Sequence, residues 1–319
     1  MKLFYGFAKL IRWPNLVFIA LTQALFFYCV VQPEYAEAGR IPNLAPPYIW
    51  WMILSSVLIG AAGYIINDYF DLNIDRINKP DKLIVERVIK RRWTIVWHLA
   101  FSIIGVLIGV YIDWKTNVRF LGLANLACVL LLFVYSISLK KKLLSGNILI
   151  SLLTAWTILV ITWCEVNQLS RVQSQFDAER IIKWAFVYGG FAFIISLIRE
   201  VIKDMEDIEG DRKYGCRTMP IVWGVNVSKT FTAVWLVVLI AAIIVLLIYI
   251  ARVIFFTADT RFWWIGILYC IVLILVPLVS IFRKLFKARS AADFHKLSSM
   301  VKLVMLTGIL SIIFLKFYN

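Results

Sequence analysis

The chain has 319 residues, 62% of them hydrophobic and only 17% charged, where an ordinary globular protein is roughly 45–50% apolar. Its mean hydropathy is +0.84, and 34 Lys and Arg against 19 Asp and Glu give a formal net charge of +15. These values exclude a soluble enzyme, a disordered tail, a coiled coil and a disulfide-rich secreted module. The apolar residues fall into separate runs of about twenty, the length a helix needs to cross a hydrocarbon core of ~30 Å. In chain order the expected spans are Pro14–Val31, Tyr48–Ile66, Trp93–Ile112, Val118–Leu139, Asn147–Val166, Ile181–Ile202, Lys229–Ala251, Phe262–Phe282 and Met300–Tyr318. The fold class is therefore all-α: a polytopic membrane protein with nine transmembrane helices bundled around a central cavity. Residues 1–319 read as one transmembrane domain.

The first run follows Lys2, Lys9 and Arg12, so a cleaved signal peptide is the competing reading there. The run is long for a signal core, and Ala36–Gly39 is a poor cleavage site behind a polar loop. The connections alternate in charge. One side holds the N-terminus, Asn67–Arg92, Lys140–Gly146, Lys203–Ser228 and Arg283–Ser299, with 22 Lys and Arg against 9 on the other. Short basic loops stay in the cytoplasm, which places the N-terminus inside and the C-terminus outside, in a plasma membrane. In a membrane protein this bias accounts for the charge, and no nucleic-acid partner is expected. Trp50, Trp51, Trp93, Trp114, Trp263 and Trp264 sit near span ends, as interfacial aromatic residues do. Cys29, Cys128, Cys164, Cys216 and Cys270 are odd in number and scattered, and His98 and His295 are the only histidines. A disulfide framework, a thiolate metal site and histidine catalysis are all disfavoured.

The two long connections of the basic side, Asn67–Arg92 and Lys203–Ser228, each begin with a burst of acid. The first reads Asn67-Asp68-Tyr69-Phe70-Asp71-Leu72-Asn73-Ile74-Asp75 and the second Lys203-Asp204-Met205-Glu206-Asp207-Ile208-Glu209-Gly210-Asp211. Asp68, Asp71 and Asp75 align at a fixed offset with Asp204, Asp207 and Asp211, so the same i, i+3, i+7 triplet is written twice. On a helix turning about 100° per residue, each triplet with its leading Asn67 or Lys203 fits within an arc of roughly 100°. Glu206 and Glu209 point elsewhere, toward solvent or basic neighbours. Like charges at this spacing repel, so three carboxylates on one face are costly unless a cation lies between them. Mg²⁺ suits such a face: it takes oxygen ligands and shares carboxylates with substrate phosphates. The bland reading is that these acids only balance nearby basic loops.

Basic residues favour a phosphate reading. Arg12, Lys79, Lys82, Lys140, Lys141, Lys203, Arg212 and Arg217 share the acidic side, and Arg199 lies one turn inside the sixth span. An ionised side chain at that depth is expensive and faces a cavity or a partner; Glu200, Asp68, Asp71 or a bound phosphate are its candidates. Metal, diphosphate and an apolar wall together point to ionisation of an allylic diphosphate. Metals stabilise the departing pyrophosphate, and a dry cavity keeps water from the carbocation. Tyr64, Tyr69, Phe70 and Tyr135 are candidate linings.

Asn67–Asp75 resembles the N-D-x-x-D-x-x-x-D motif of the UbiA superfamily of intramembrane prenyltransferases, and Asp204–Asp211 resembles its D-x-x-D-x-x-G-D motif. Arg12-Trp13-Pro14-Asn15, Tyr135-Ser136 followed by Leu139-Lys140-Lys141, and Gly146-Asn147 agree with it. The resemblance covers essentially the whole chain and implies Mg²⁺-dependent transfer from a prenyl diphosphate to a lipophilic acceptor in a cavity open to membrane lipids, with no obligate protein partner. It implies that Asn67, Asp68, Asp71, Asp75, Asp204, Asp207 and Asp211 hold Mg²⁺ and diphosphate. Arg12, Asn15, Tyr135, Lys140, Lys141, Arg199 and Lys203 would contact substrate. Gly63–Tyr69 and Arg199–Asp211 look most like the digeranylgeranylglyceryl phosphate synthase branch, which transfers geranylgeranyl to geranylgeranylglyceryl phosphate. One departure is Lys82-Leu83, where the family usually has Arg-Pro. The alternatives are an aromatic acceptor, as in quinone, haem or chlorophyll pathways, and a transporter of a phosphorylated lipid. Transport sites tend to the midplane, whereas both acidic motifs here lie at span ends. The D-G-x-x-A-R signature of CDP-alcohol phosphotransferases is absent.

Overall fold

The computed structural model describes residues 2–78, 84–166, 178–256 and 263–317. Lys79, Lys82 and Leu83 of the first acidic connection, and the expected span ends Phe262 and Tyr318, lie outside them. The described residues form helices α1 (Lys2–Leu10), α2 (Trp13–Phe26), α3 (Gln32–Glu37), α4 (Tyr48–Asn78), α5 (Arg91–Lys115), α6 (Leu121–Ile137), α7 (Ser145–Val166), α8 (Glu179–Glu206), α9 (Ile208–Lys213), α10 (Met219–Val222), α11 (Val225–Phe256), α12 (Trp263–Cys270), α13 (Val276–Lys287) and α14 (Ala291–Leu310). Among the described residues the only β pairing is an isolated bridge between Val85 and Ile89.

Several of these helices run on as single rods. A π turn at Phe27–Val31 joins α2 to α3, and another at Ile271–Leu275 joins α12 to α13. Each is followed within two residues by a proline, Pro33 or Pro277. A proline ring clashes with the carbonyl four residues back and offers no N–H, and the wider π turn takes up that mismatch without ending the rod. Eight rods are long and apolar enough to cross a bilayer: Trp13–Glu37, Tyr48–Asn78, Arg91–Lys115, Ser145–Val166, Glu179–Glu206, Val225–Arg252, Trp264–Lys287 and Ala291–Lys316. The shorter apolar α6 is the ninth member of the bundle. It is clipped because Phe120 turns left-handed (φ 65°) and Ser138 leaves helical geometry. The Asp113 carboxylate of α5 accepts from the Leu121 and Gly122 amides at 2.9 and 2.8 Å, capping α6 from outside its own sequence.

The expected spans are therefore present, but two ends move. α4 continues twelve residues past Ile66, so the first acidic motif is helical and not a loop. α8 likewise carries Lys203 and Asp204 before it ends at Glu206.

Six helices close a ring in the order α2, α4, α6, α7, α8 and α14, with α14 returning to α2, while α5, α11 and α13 pack outside it. Two apolar clusters hold the ring. One gathers Phe26, Phe27, Met52, Ile161 and Ile181, and the other packs Leu236, Leu278, Leu297 and Val304 between α8, α11, α13 and α14. The outward faces of α5, α6 and α11 expose Leu107, Leu130 and Val245 among many apolar side chains, a surface suited to hydrocarbon.

Apolar association gains little in lipid, so close approach and polar ties matter more. Ser55 Oγ of α4 donates to the Gly105 carbonyl of α5 at 2.7 Å, and Asn125 Nδ2 of α6 donates to Ser55 Oγ at 2.9 Å. Gly109 and Gly122 let α5 and α6 meet: a Cβ on Gly122 would lie 2.5 Å from Val110 Cγ2, and one on Gly109 would lie 3.0 Å from the Gly122 Cα. Gly122→Val should therefore lower the unfolding midpoint in detergent, by the equivalent of about 1–3 kcal/mol of overpacking. Gly190→Ala, where an added Cβ meets nothing within 4 Å, should not. Scanning calorimetry of the two variants checks the contrast.

Candidate active site

Inside the ring, at the end that carries the acidic motifs, lies a cavity of about 600 Å³. Every metal- or substrate-binding residue that the resemblance implies lines it: Arg12 and Asn15 from the start of α2, Asn67, Asp68, Asp71 and Asp75 from α4, Tyr135 from α6, Lys140 and Lys141 from the turn after it, Arg199, Lys203 and Asp204 from α8, and Asp207 and Asp211 beyond α8. Tyr64 also lines it. Tyr69 and Phe70, expected as possible linings, do not. Tyr69 lies beneath the Arg91 guanidinium at 4.3 Å, and Phe70 meets Phe133 edge-on at 6.1 Å. Arg212 and Arg217 also stay off the wall.

On α4 the four motif residues share one helical face, as their spacing predicts, and Asn67, Asp68 and Asp71 are each met from another element. Arg12 sits in a left-handed turn (φ 51°) between α1 and α2, which turns its side chain toward α4. Its Nη2 reaches Asp68 Oδ1 at 2.7 Å, and its guanidinium lies 5.1 Å over the Tyr64 ring. Burial works against the Arg12 charge, but the Asp68 and Tyr64 fields and the Asp68 hydrogen bond outweigh it and raise the pKa. Lys140 lies on a 3₁₀ turn, Leu139–Lys141. It pairs with Asp71 Oδ1 at 2.5 Å and donates to Asn67 Oδ1 at 3.2 Å. Asn67 Nδ2 in turn donates to Asp71 Oδ2 at 2.8 Å. Burial holds the Lys140 ammonium below its ordinary pKa, against the pull of Asp71.

The second motif departs from the continuous helical face its spacing predicts. α8 ends at Glu206, Asp207 sits at the break (φ −97°, ψ 10°), and α9 starts at Ile208. Asp204 remains on α8 and accepts from Asn147 Nδ2 of α7 at 2.8 Å. Beyond the break, Asn78 at the end of α4 ties the two motifs together. Its Nδ2 donates to the Asp207 carbonyl at 3.0 Å and its Oδ1 accepts from the Gly210 amide at 2.8 Å. Gly210 is required by this approach, since a Cβ there would lie 2.5 Å from Asn78 Oδ1. Glu206 points away from the cavity and meets His295 Nδ1 at 2.8 Å, the basic-neighbour outcome expected for it.

Arg199 finds Glu200, one of its expected partners, at 2.9 Å, and Lys203 reaches the same carboxylate at 3.3 Å. Arg199 Nε is buried with no hydrogen-bond partner. The sequence motifs left Glu200, Asn78 and Lys302 out of the site, yet all three line the cavity. Glu200 was legible only as a counter-ion to Arg199, and Lys302 carried no motif at all.

Two facing sets of hard oxygen donors, backed by lysine and arginine, are the chemistry of a divalent cation and a phosphate. In this conformation no three carboxylate, cysteine or histidine side chains among the described residues converge as a ready metal cluster. Below the polar end the wall is apolar, with Phe18, Leu132, Trp156, Phe191 and Ile195, and can take a hydrocarbon chain.

Known proteins resemble this chain in sequence and in fold. The digeranylgeranylglyceryl phosphate synthase of Methanosphaera stadtmanae is 28% identical over 272 residues, covering 83% of this chain and 87% of that one. The enzyme of the same name from Methanothermobacter thermautotrophicus is 33% identical over 192 residues, covering 59% of this chain and 61% of its own length. A UbiA homologue from Archaeoglobus fulgidus, solved bound to DMAPP and Mg²⁺, superimposes with a TM-score of 0.56 at 15% identity, over 96% of this chain and 99% of that one. The family model for UbiA prenyltransferases matches residues 11–311, nearly the whole chain. The chain belongs to the UbiA prenyltransferase family.

Proposed function

We propose that this prenyltransferase moves a geranylgeranyl group from its diphosphate to the free hydroxyl of geranylgeranylglyceryl phosphate, forming the second ether of a membrane lipid. The observation that carries this reading is the meeting of all six motif aspartates, the basic residues and an apolar wall in one cavity. The relatives named for that reaction support the choice of acceptor. On this reading the basic end faces the cytoplasm, with the N-terminus inside and the C-terminus outside a plasma membrane, and residues 1–319 act as one domain.

Asn67, Asp68, Asp71 and Asp75 on α4 and Asp204, Asp207 and Asp211 at the end of α8 would hold Mg²⁺, whose donor preferences their oxygens match. When bound, the ion stabilises negative charge on the pyrophosphate. Lys140, Lys141 and Lys203 bind diphosphate oxygens from the sides of the cavity. Asn15 and Tyr135 present polar groups where the headgroup meets the apolar wall. The wall orients the allylic chain and excludes water from C1. The C1–O bond breaks with its electron pair leaving on pyrophosphate. The acceptor hydroxyl supplies the pair for the new C–O bond, and its proton passes to the departed pyrophosphate.

Asp71→Ala and Asp207→Ala should each reduce transfer by about 100-fold or more while leaving a folded, inserted protein. Undiminished turnover of radiolabelled geranylgeranyl diphosphate in both variants would sink the site. Chelation of divalent cations should abolish turnover by the wild type, and added Mg²⁺ should restore it. An acceptor screen should show product from geranylgeranylglyceryl phosphate and none from an aromatic quinone precursor; the reverse result would move the chain to the aromatic-acceptor branch.

A further inference from the structure

Lys302 stands eleven residues into α14, about 16 Å along the axis from Ala291 by helical rise. An ionised side chain there, inside a membrane-crossing rod, is costly unless it faces a polar cavity. It lines the same cavity as the acidic motifs, with its ammonium 5.4 Å from the centre of the Phe18 ring on α2.

Its charged surroundings differ from those of Arg12, Lys140, Arg199 and Lys203. Asp68 meets Arg12, Asp71 meets Lys140, and Glu200 meets both Arg199 and Lys203. Among the described residues no carboxylate pairs with Lys302, and the charges it feels most strongly are Arg199, Arg12 and Lys203, all positive. Like charges gathered along one cavity wall favour an anion between them. The nearby Arg199 Nε, buried and without a hydrogen-bond partner, is a second donor in the same neighbourhood.

We propose that Lys302, together with Arg199, forms a separate subsite for the phosphate monoester of the acceptor lipid. This assignment rests on the acceptor reading above. The diphosphate, held between the α4 and α8 motifs and Lys140, needs neither group. The acceptor is a second anion whose chain must lie in the same apolar cavity, and a fixed charge on α14 sets where its headgroup stops. Lys302 is thus a specificity-determining residue, favouring acceptors with a phosphate over those with a neutral head.

The test uses the full chain in lipid nanodiscs, with wild type, Lys302→Met and Lys302→Arg. Calorimetric titration of geranylgeranylglyceryl phosphate in EDTA should give a Kd about tenfold weaker for Lys302→Met, with Lys302→Arg near wild type. In Mg²⁺, KM for that acceptor should rise by a similar factor in Lys302→Met while KM for geranylgeranyl diphosphate stays within twofold. Geranylgeranylglycerol, which lacks the phosphate, should not distinguish the three proteins. A rise in the diphosphate KM instead would assign Lys302 to the other substrate and overturn the inference while leaving the reaction intact. An effect of Lys302→Met present in anionic nanodiscs and lost in neutral ones would assign it to a bilayer headgroup, and would also overturn it. If the wild type bound no geranylgeranylglyceryl phosphate and turned over only an aromatic acceptor, the acceptor reading itself would fail.

Discussion

The constraint that organises this molecule is the cost of placing six aspartates and a glutamate at one end of an apolar bundle. A carboxylate withdrawn from water must find a cation or several hydrogen-bond donors, because the attraction that compensates it is strong only at close range and in low dielectric. Glu200 is met by Arg199 and Lys203 of its own helix, but for three of the aspartates the compensating groups come from other elements. Arg12 crosses from the start of α2 to Asp68, Lys140 from the turn after α6 to Asp71, and Asn147 from α7 to Asp204. The contacts that neutralise the acids are therefore also the cross-ties that close the ring at this end. Removing a cation would leave a stranded carboxylate and loosen a helix junction together. On the proposed reading, a divalent ion must take oxygens that Arg12 and Lys140 now hold, so ion entry and local rearrangement are coupled.

The two acidic motifs look equivalent as strings of residues, but the fold treats them differently. The first stays on an uninterrupted α4, so its three aspartates keep the register of one helical face. The second is broken at Asp207, and its distal half is carried by the one-and-a-half turns of α9. What replaces helical continuity there is a tertiary clasp: Asn78 satisfies both the Asp207 carbonyl and the Gly210 amide. One continuous acidic face and one broken face are thus joined at their ends through Asn78. The glycine of the motif has a steric role in this clasp, since any side chain there would displace Asn78.

How far the chain could be read without coordinates follows from which forces act locally. Span number and order were legible because bilayer thickness sets the length of an apolar run, a property of contiguous residues. The ends of α4 and α8 were not, because these helices continue as polar extensions that hydropathy does not register. The clipping of α6 was hidden for a related reason: its cap is Asp113, eight and nine residues upstream on a different helix. Within the site, the aspartates and their paired basic residues announced themselves by spacing and charge. Asn78 lay in plain view but had no reason to be singled out, since its partners are more than 120 residues away. Lys302 is the extreme case. A single lysine in an apolar stretch is indistinguishable in sequence from a snorkelling residue until α14 is seen to close the ring against α2.

That closure has a consequence for the chemistry. Because α14 returns to α2, the cavity lies within a ring of six membrane helices, and its charged groups are concentrated at the acidic end while Phe18, Leu132, Trp156, Phe191 and Ile195 occupy the wall below. A reaction that passes through a carbocation needs both parts at once. The charged end must favour departure of pyrophosphate, and the apolar part must give the cation nothing but the intended nucleophile to meet. At the far end, buried Glu165 accepts from the Asn43 and Leu44 amides at 2.8 and 2.9 Å, pinning the 43–44 loop against α7 and drawing that carboxylate's capacity into the fold. The acids of this chain thus divide by position. Asp68, Asp71 and Asp204 are held by side chains that a substrate and a cation can compete with, whereas Asp113 and Glu165 toward the opposite end are held by backbone amides.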